Sequence, residues 1–314
     1  MGVVDRALSS AFSEYLDRIS LNPTRERKIR GYAESVQKYM VRDAGGLGKY
    51  VEVEPFIHGS YSYGTTVRPK AGAADYDLDM ILPLSRPFFE RYGPAEAMGY
   101  IRGRLALNYG TVSQGNKCVR ISNDDGFHVD IVPAYVPNGN ASTVQIIDRR
   151  QETYIPSHPV AVTDWVAELN RNTCNRFSAT ARIFKRWRDA KFGSGTRPKS
   201  LLLTVLAGRS IEKAMREDAD WRDLYRLPST TMAEFVEATG IAMSDYLGAQ
   251  GPRILVPGTN DDVGGKWTQG QQEAFMKRLD YFIEVASKAN AAPTRNSALK
   301  RWSKLLGDDF PTTV

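Results

Sequence analysis

Leu8, Phe12, Leu16 and Ile19 recur near the start of the chain at three- and four-residue intervals, the spacing that lines one face of a helix. A pause at Asn22-Pro23 separates them from a second such run, Ile29, Tyr32, Val36 and Tyr39, so residues 3–42 are expected to be helical. Ala44-Gly45-Gly46-Leu47-Gly48 then stops the helix. From Tyr50 the period changes: YVEVEPFIHG alternates apolar and acidic residues and ends at Gly59, as a strand does. SYSYGTTV reads as a turn or a helix of one or two turns, and DYDLDMILPL, after the loop RPKAGAA, as a second strand. Residues 94–109 are expected to form a helix. GNKCVRIS and FHVDIVPAY flank Asn123-Asp124-Asp125-Gly126, a strong hairpin signal, and residues 144–147 suit one more strand.

After Pro159 the pattern is helical throughout, over 160–191, 200–217, 230–247 and 268–289, with breaks at GSGTRP and GPRILVPG. The closing GDDFPTTV has the look of a short frayed tail. The fold class expected is α+β with two lobes. Residues 1–160 form a mixed-sheet lobe with a long N-terminal helix, and residues 161–314 an all-helical lobe.

Composition narrows the classes without choosing among them. Hydrophobic and charged residues make up 42% and 25% of the 314, which allows a real core. Cys118 and Cys174 cannot build a disulfide framework, and with His58, His128 and His158 scattered and no Cys-x-x-Cys pair, a zinc site is not expected. This usage fits a reducing cytoplasm. No apolar run reaches the roughly 20 residues of a membrane span, and the N-terminus has no signal-peptide pattern. The net charge of +6 suits a handler of polyanions, and equally a basic surface with no partner.

The candidate chemistry lies in the first half. In DYDLDMIL, Asp77 and Asp79 fall on one face of the strand, with Leu78 and Met80 on the other. Two carboxylates roughly 7 Å apart repel and are costly to bury, but they suit two Mg²⁺ ions roughly 3.5–4 Å apart, which would clamp a triphosphate and an attacking hydroxyl. Asp75 shares the face and is a rival; it follows a flexible loop, whereas Met80-Ile81-Leu82 anchors the strand behind the other two. Asp130 lies in an apolar strand between Val129 and Ile131 and would complete the set if the two strands are neighbours. Gly59 allows a close backbone approach to phosphate, and Ser60 offers a hydroxyl, either to cap the following turn or to meet an anion.

Farther along, Arg182, Lys185, Arg186 and Arg188 in SATARIFKRWRDAKF predict one cationic edge, suited to a triphosphate or simply a solvated face. Ser200 opens the next helical run, where capping is the simpler role and phosphate contact the other.

GSYSYGTTVRP, DYDLDMIL and HVDIVPAY together resemble the polymerase-β-like nucleotidyltransferase superfamily. Within it the chain is most similar to the bacterial CD-NTases, relatives of cyclic GMP-AMP synthase and oligoadenylate synthase. The resemblance implies metal binding by Asp77, Asp79 and Asp130, with Mg²⁺ or alternatively Mn²⁺, and triphosphate contacts from Gly59, Ser60, Lys185 in FKRW and Ser200 in KSLLL. It implies a two-lobed cage with the active site in the cleft. It also implies the joining of ribonucleoside triphosphates (ATP, GTP, UTP or CTP, with the choice open) into a cyclic di- or trinucleotide. That product would activate an effector in anti-phage defence, and a regulatory protein partner is allowed for. His58 stands where relatives commonly carry Gln, and no cysteines are present for the zinc module that animal cyclic GMP-AMP synthase uses on DNA, so DNA is not expected to be required. Transfer to RNA 3′ ends or to a small molecule is the alternative activity.

Overall fold

Asn22 accepts a hydrogen bond from the Arg25 amide (2.7 Å) and Pro23 takes the first helical position, which fixes the break between the first two helices. In the computed structural model, which describes residues 3–69, 76–139, 141–193, 195–251 and 253–313, these helices are α1 (Val3–Ile19) and α2 (Pro23–Arg42). Asp75 lies outside the described residues. The chain divides into two units. One comprises Leu21–Gly64 and Arg68–Asp164, the other Met1–Ser20, Thr65–Val67 and Trp165–Val314.

The first unit is built on a mixed sheet of β1 (Phe56–His58), β2 (Tyr76–Leu84), β3 (Thr111–Gln114), β4 (Val119–Asn123), β5 (Phe127–Tyr135), β6 (Val144–Asp148) and β7 (Thr153–Ser157). Its order is β1-β2-β5-β4-β3, with β6 pairing β5 and then β7; β2 and β5 run parallel and the other pairs antiparallel. Between β1 and β2 stands the short α3 (Gly59–Ser62), and between β2 and β3 lie α4 (Arg86–Arg91) and α5 (Pro94–Leu105).

Alternation along the strands sorts the two faces. Leu78, Met80 and Leu82 of β2, Val129 and Ile131 of β5, and Val119 and Ile121 of β4 form one buried cluster. Against them pack Ile29, Ala33, Val36 and Met40 of α2 and Met98, Ile101 and Leu105 of α5. The opposite face is left for Asp77, Asp79 and Asp130.

The strand expected over 50–58 forms only at Phe56–His58. Leu47–Tyr50 is a 3₁₀ turn, and the segment after it touches β2 through the Val51–Leu84 bridge and the Glu52 amide on the Pro83 carbonyl (3.0 Å). Pro55 has no N–H to extend a ladder, which accounts for the interruption. Four-residue β3 and six-residue α4 carry too few positions for either period to register.

In the second unit the helices are α6 (Pro159–Asn172), which straddles the unit boundary, α7 (Arg176–Lys191), α8 (Ser200–Glu217), α9 (Ala219–Arg226), α10 (Met232–Gln250), α11 (Gln269–Asn290) and α12 (Arg295–Leu306). Cys174 and Asn175 adopt positive φ (50° and 60°) and divide the expected 160–191 run into α6 and α7. Two expectations need correction. The N-terminal helix does not group as one piece with the sheet lobe of residues 1–160: α1 belongs to the helical unit, because Phe12 packs on Trp302 and Phe310 with ring centroids 4.9 and 5.2 Å apart. The tail is not frayed. Phe310 is buried, and Asp309 accepts from Arg186 Nε (2.7 Å) while its carbonyl accepts from Arg18 (3.1 Å). No described helix is long and apolar enough to cross a membrane.

Candidate active site

Strand register assembles the site. Asp79 lies directly opposite Asp130 in the parallel β2–β5 pair, and the same row runs on to His58 on β1, Arg120 on β4 and Ser113 on β3. Asp77 heads the next row of that face, opposite His128. The structure therefore brings all three expected acids to one face of one sheet.

Their environments differ. The Asp77 side chain is 58% exposed and that of Asp130 10%. Arg120 grips Asp130 with both arms of its guanidinium, Nε to Oδ1 and Nη2 to Oδ2 at 2.7 Å each, and also reaches Asp77 Oδ1 at 3.2 Å. His128 Nε2 stands 2.7 Å from the same Asp77 oxygen. Asp79 is pushed up to about 6, first by burial and then by the neighbouring charges of Asp130 and Asp77, with Arg120 opposing.

Neither Arg120 nor His128 was among the site residues expected from the sequence. The signal was there for Arg120: Val119 and Ile121 read as core, which turns Arg120 to the other face. A hairpin at Asn123–Gly126 then reflects Arg120 onto Asp130, the two standing equally far from Asp125. Gly126, at φ 77°, makes that turn available.

Gly59 has a role beyond the one expected of it. Its φ is +75°, and a Cβ there would lie 2.3 Å from Asp79 Oδ2, so the missing side chain makes room for a carboxylate of the site. Ser60 is the second residue of α3, half-buried, and does not cap it; the N-cap is His58, with no side-chain bond, and Ser62 Oγ donates to the Gly59 carbonyl (2.9 Å). Burial pushes His58 down to about 4, and its Nδ1 lies 3.2 Å from the Tyr63 hydroxyl.

Lys185 and Ser200 lie in the helical unit, and there the cationic edge expected of α7 is an interior feature. Lys185, Arg186 and Arg188 are all buried. Arg186 pairs with Asp309; Arg188 donates to Asp189 (2.9 Å), to the Pro198 carbonyl (3.2 Å) and to Ser200 Oγ (2.8 Å); Arg182 donates to Ser20 (2.7 Å). The cause is the core packing of Ile183, Phe184 and Trp187, which draws the intervening stems in with them. Lys185 Nζ donates to the Thr65 carbonyl (3.1 Å) and hydroxyl (2.8 Å), and burial pushes it down to about 7. Ser200 is not the cap of α8, which is Lys199; its hydroxyl serves Arg188.

Among the described residues, no group of three or more His, Cys, Asp or Glu side chains is gathered closely enough to hold a metal ion. The donors nevertheless fit one in kind. Three carboxylates share a face, and Asp79 is short of positive charge, the condition a hard cation relieves.

A mixed sheet thus carries paired acids on one strand, a third acid on its parallel neighbour and a Gly-Ser turn ahead of them. E. coli CdnC, solved with ATP and also in a CdnC:HORMA-deltaN complex, superposes with a TM-score of 0.75 in the ATP form, at 16% identity over 96% of this chain and 98% of that one. Bradyrhizobium diazoefficiens CdnG in complex with GTP gives 0.74 at 18% identity, over 96% and 95%. The cyclic AMP-AMP-AMP synthase of an Acinetobacter species is 25% identical over 271 residues, 84% of this chain and 74% of that relative. Residues 7–170 match the Second Messenger Oligonucleotide or Dinucleotide Synthetase domain, and the chain belongs to that family.

Proposed function

We propose that this protein condenses ribonucleoside triphosphates into a cyclic oligonucleotide, with Asp77, Asp79 and Asp130 as the acidic centre. The observation that carries the reading is the row in which Asp79 faces Asp130, with Asp77 on the same face and Asp79 pushed up to about 6. These carboxylates would hold Mg²⁺, or Mn²⁺ in its place, which when bound supplies charge neutralisation at the triphosphate and a more acidic acceptor hydroxyl. An acceptor ribose hydroxyl then attacks the α-phosphate and pyrophosphate leaves; a second transfer closes the ring. Gly59 and Ser60 present the turn next to Asp79 to the triphosphate, and Lys185 and Ser200 are assigned to the same group. Lys185, held on Thr65 and pushed down to about 7, can take up a proton and offer a compact positive charge when polyphosphate arrives.

Product formation is expected without DNA. The basic residues of α7 support this, since Lys185, Arg186 and Arg188 are buried rather than presented to a duplex. A regulatory protein partner and an effector that reads the product are proposed on the likeness to CdnC and to the cyclic nucleotide synthase.

The test is incubation with four labelled ribonucleotides and Mg²⁺ in the presence of an RNA and a small-molecule acceptor, with and without double-stranded DNA at low salt, followed by phosphatase and nuclease treatment. A phosphatase-resistant product that nuclease degrades, formed equally in both arms, is expected. Label found only on added RNA or on a small acceptor would replace the reading with the tailing activity.

A further inference from the structure

Arg120 is bonded to two of the three acids by a group that cannot lose its charge. Its Nε and Nη2 take one oxygen each of Asp130, and Nη2 also reaches Asp77. The exposure of the partners is unequal. Asp130 sits in the middle of β5 with its side chain 10% exposed, whereas Arg120 is 37% exposed and Asp77 lies near the open end of β2. Of the three, the arginine head and Asp77 are the exposed groups, although Asp77 also meets His128 Nε2 at 2.7 Å. Meanwhile Asp79 faces Asp130 with no guanidinium bonded to it among the described contacts. Three carboxylates facing one guanidinium are short of positive charge without metal, yet a divalent ion set among them would meet that guanidinium at short range, so the two cations compete for the same oxygens.

We propose, building on the nucleotidyltransferase reading above, that Arg120 is an internal counter-ion that holds Asp77 and Asp130 in register before metal binds. It must release Asp77 when a divalent ion enters. Free metal is therefore bound weakly, and the site fills well only when a nucleotide brings further oxygen ligands. Arg120 is in this sense a positioning residue that couples metal uptake to substrate.

Mn²⁺ titration followed by electron paramagnetic resonance, without nucleotide, tests the coupling in wild type, Arg120→Gln, Arg120→Lys, Lys117→Gln and Asp79→Asn. Arg120→Gln should bind Mn²⁺ on the order of tenfold tighter, since an opposing charge is gone. Arg120→Lys should also bind tighter than wild type although its charge is kept, because one ammonium cannot hold both Asp130 oxygens and Asp77 together. Lys117 is exposed and stands beside Asp148, so its removal should leave affinity unchanged. Wild-type affinity in Arg120→Lys overturns the proposal, as does equal tightening in Lys117→Gln and Arg120→Gln. Should Arg120→Gln fail to fold, Arg120→Lys decides alone. Mn²⁺ binding that Asp79→Asn does not weaken instead removes the underlying reading of the acidic centre.

Discussion

The acidic face of the sheet and helix α7 each gather one sign of charge, and they handle it in opposite ways. On the sheet, Asp77, Asp79 and Asp130 share one face, the guanidinium of Arg120 is bonded to Asp77 and Asp130, and Asp79 is pushed up to about 6, first by burial and then by its acidic neighbours. On α7, Arg186 and Arg188 have a carboxylate each, Asp309 and Asp189, whereas Lys185 rests on the uncharged Thr65 and is pushed down to about 7. In each unit most of these charges are settled by local pairs, while Asp79 and Lys185 are left strained toward their neutral forms. Those two groups are the ones proposed above to meet a metal and a triphosphate.

Removing the strained acid should have the largest effect. Asp79→Asn is expected to lower turnover by about three orders of magnitude or more, about 4 kcal/mol of lost transition-state stabilisation, while the metal-free protein melts no lower than wild type. A product assay beside thermal melting decides it, and retained turnover would break the assignment. Lys185→Met should weaken a non-hydrolysable triphosphate by about 1.5–3 kcal/mol with the fold intact. Calorimetry at pH 8 in buffers of different ionisation enthalpy should also show proton uptake on binding by wild type and less by the variant. Equal affinity would make Lys185 a core lysine and nothing more. On the paired side, Asp309→Ala leaves Arg186 buried without its carboxylate and should cost about 1–2 kcal/mol in denaturant unfolding, reduced because Asp309 is partly in water.

The smallest effects are pH slopes of opposite sign. Asp79 binds its proton more tightly folded than unfolded, so metal-free stability from this group is present at low pH and lost as pH rises from about 3.8 to about 6. Lys185 holds its proton less tightly when folded, so stability is gained as pH rises from about 7 to about 10.5. Asp79→Asn should flatten the first slope and Lys185→Met the second in melting curves taken across pH. Unchanged slopes would show that neither group is the strained one.

Much of this protein was legible in its sequence because the relevant signals are local. Period two in DYDLDMIL and FHVDIVPAY placed three acids on strands and turned them away from Leu78, Met80, Val129 and Ile131. Asn22-Pro23 set a helix start, and the hairpin at Asn123–Gly126 set a register. Long-range packing decided the rest. Only the parallel pairing of β2 with β5 sets Asp79 opposite Asp130, and only the fold shows that Arg120 bonds Asp130 and Asp77 and that His128 meets Asp77. The basic run of α7 gave no hint of its burial, because whether a long cationic stem lies outward or inward depends on what packs around Ile183, Phe184 and Trp187. The place of α1 and the tail was likewise set by Phe12, Trp302 and Phe310, residues nearly the whole chain apart whose contact no periodicity can report.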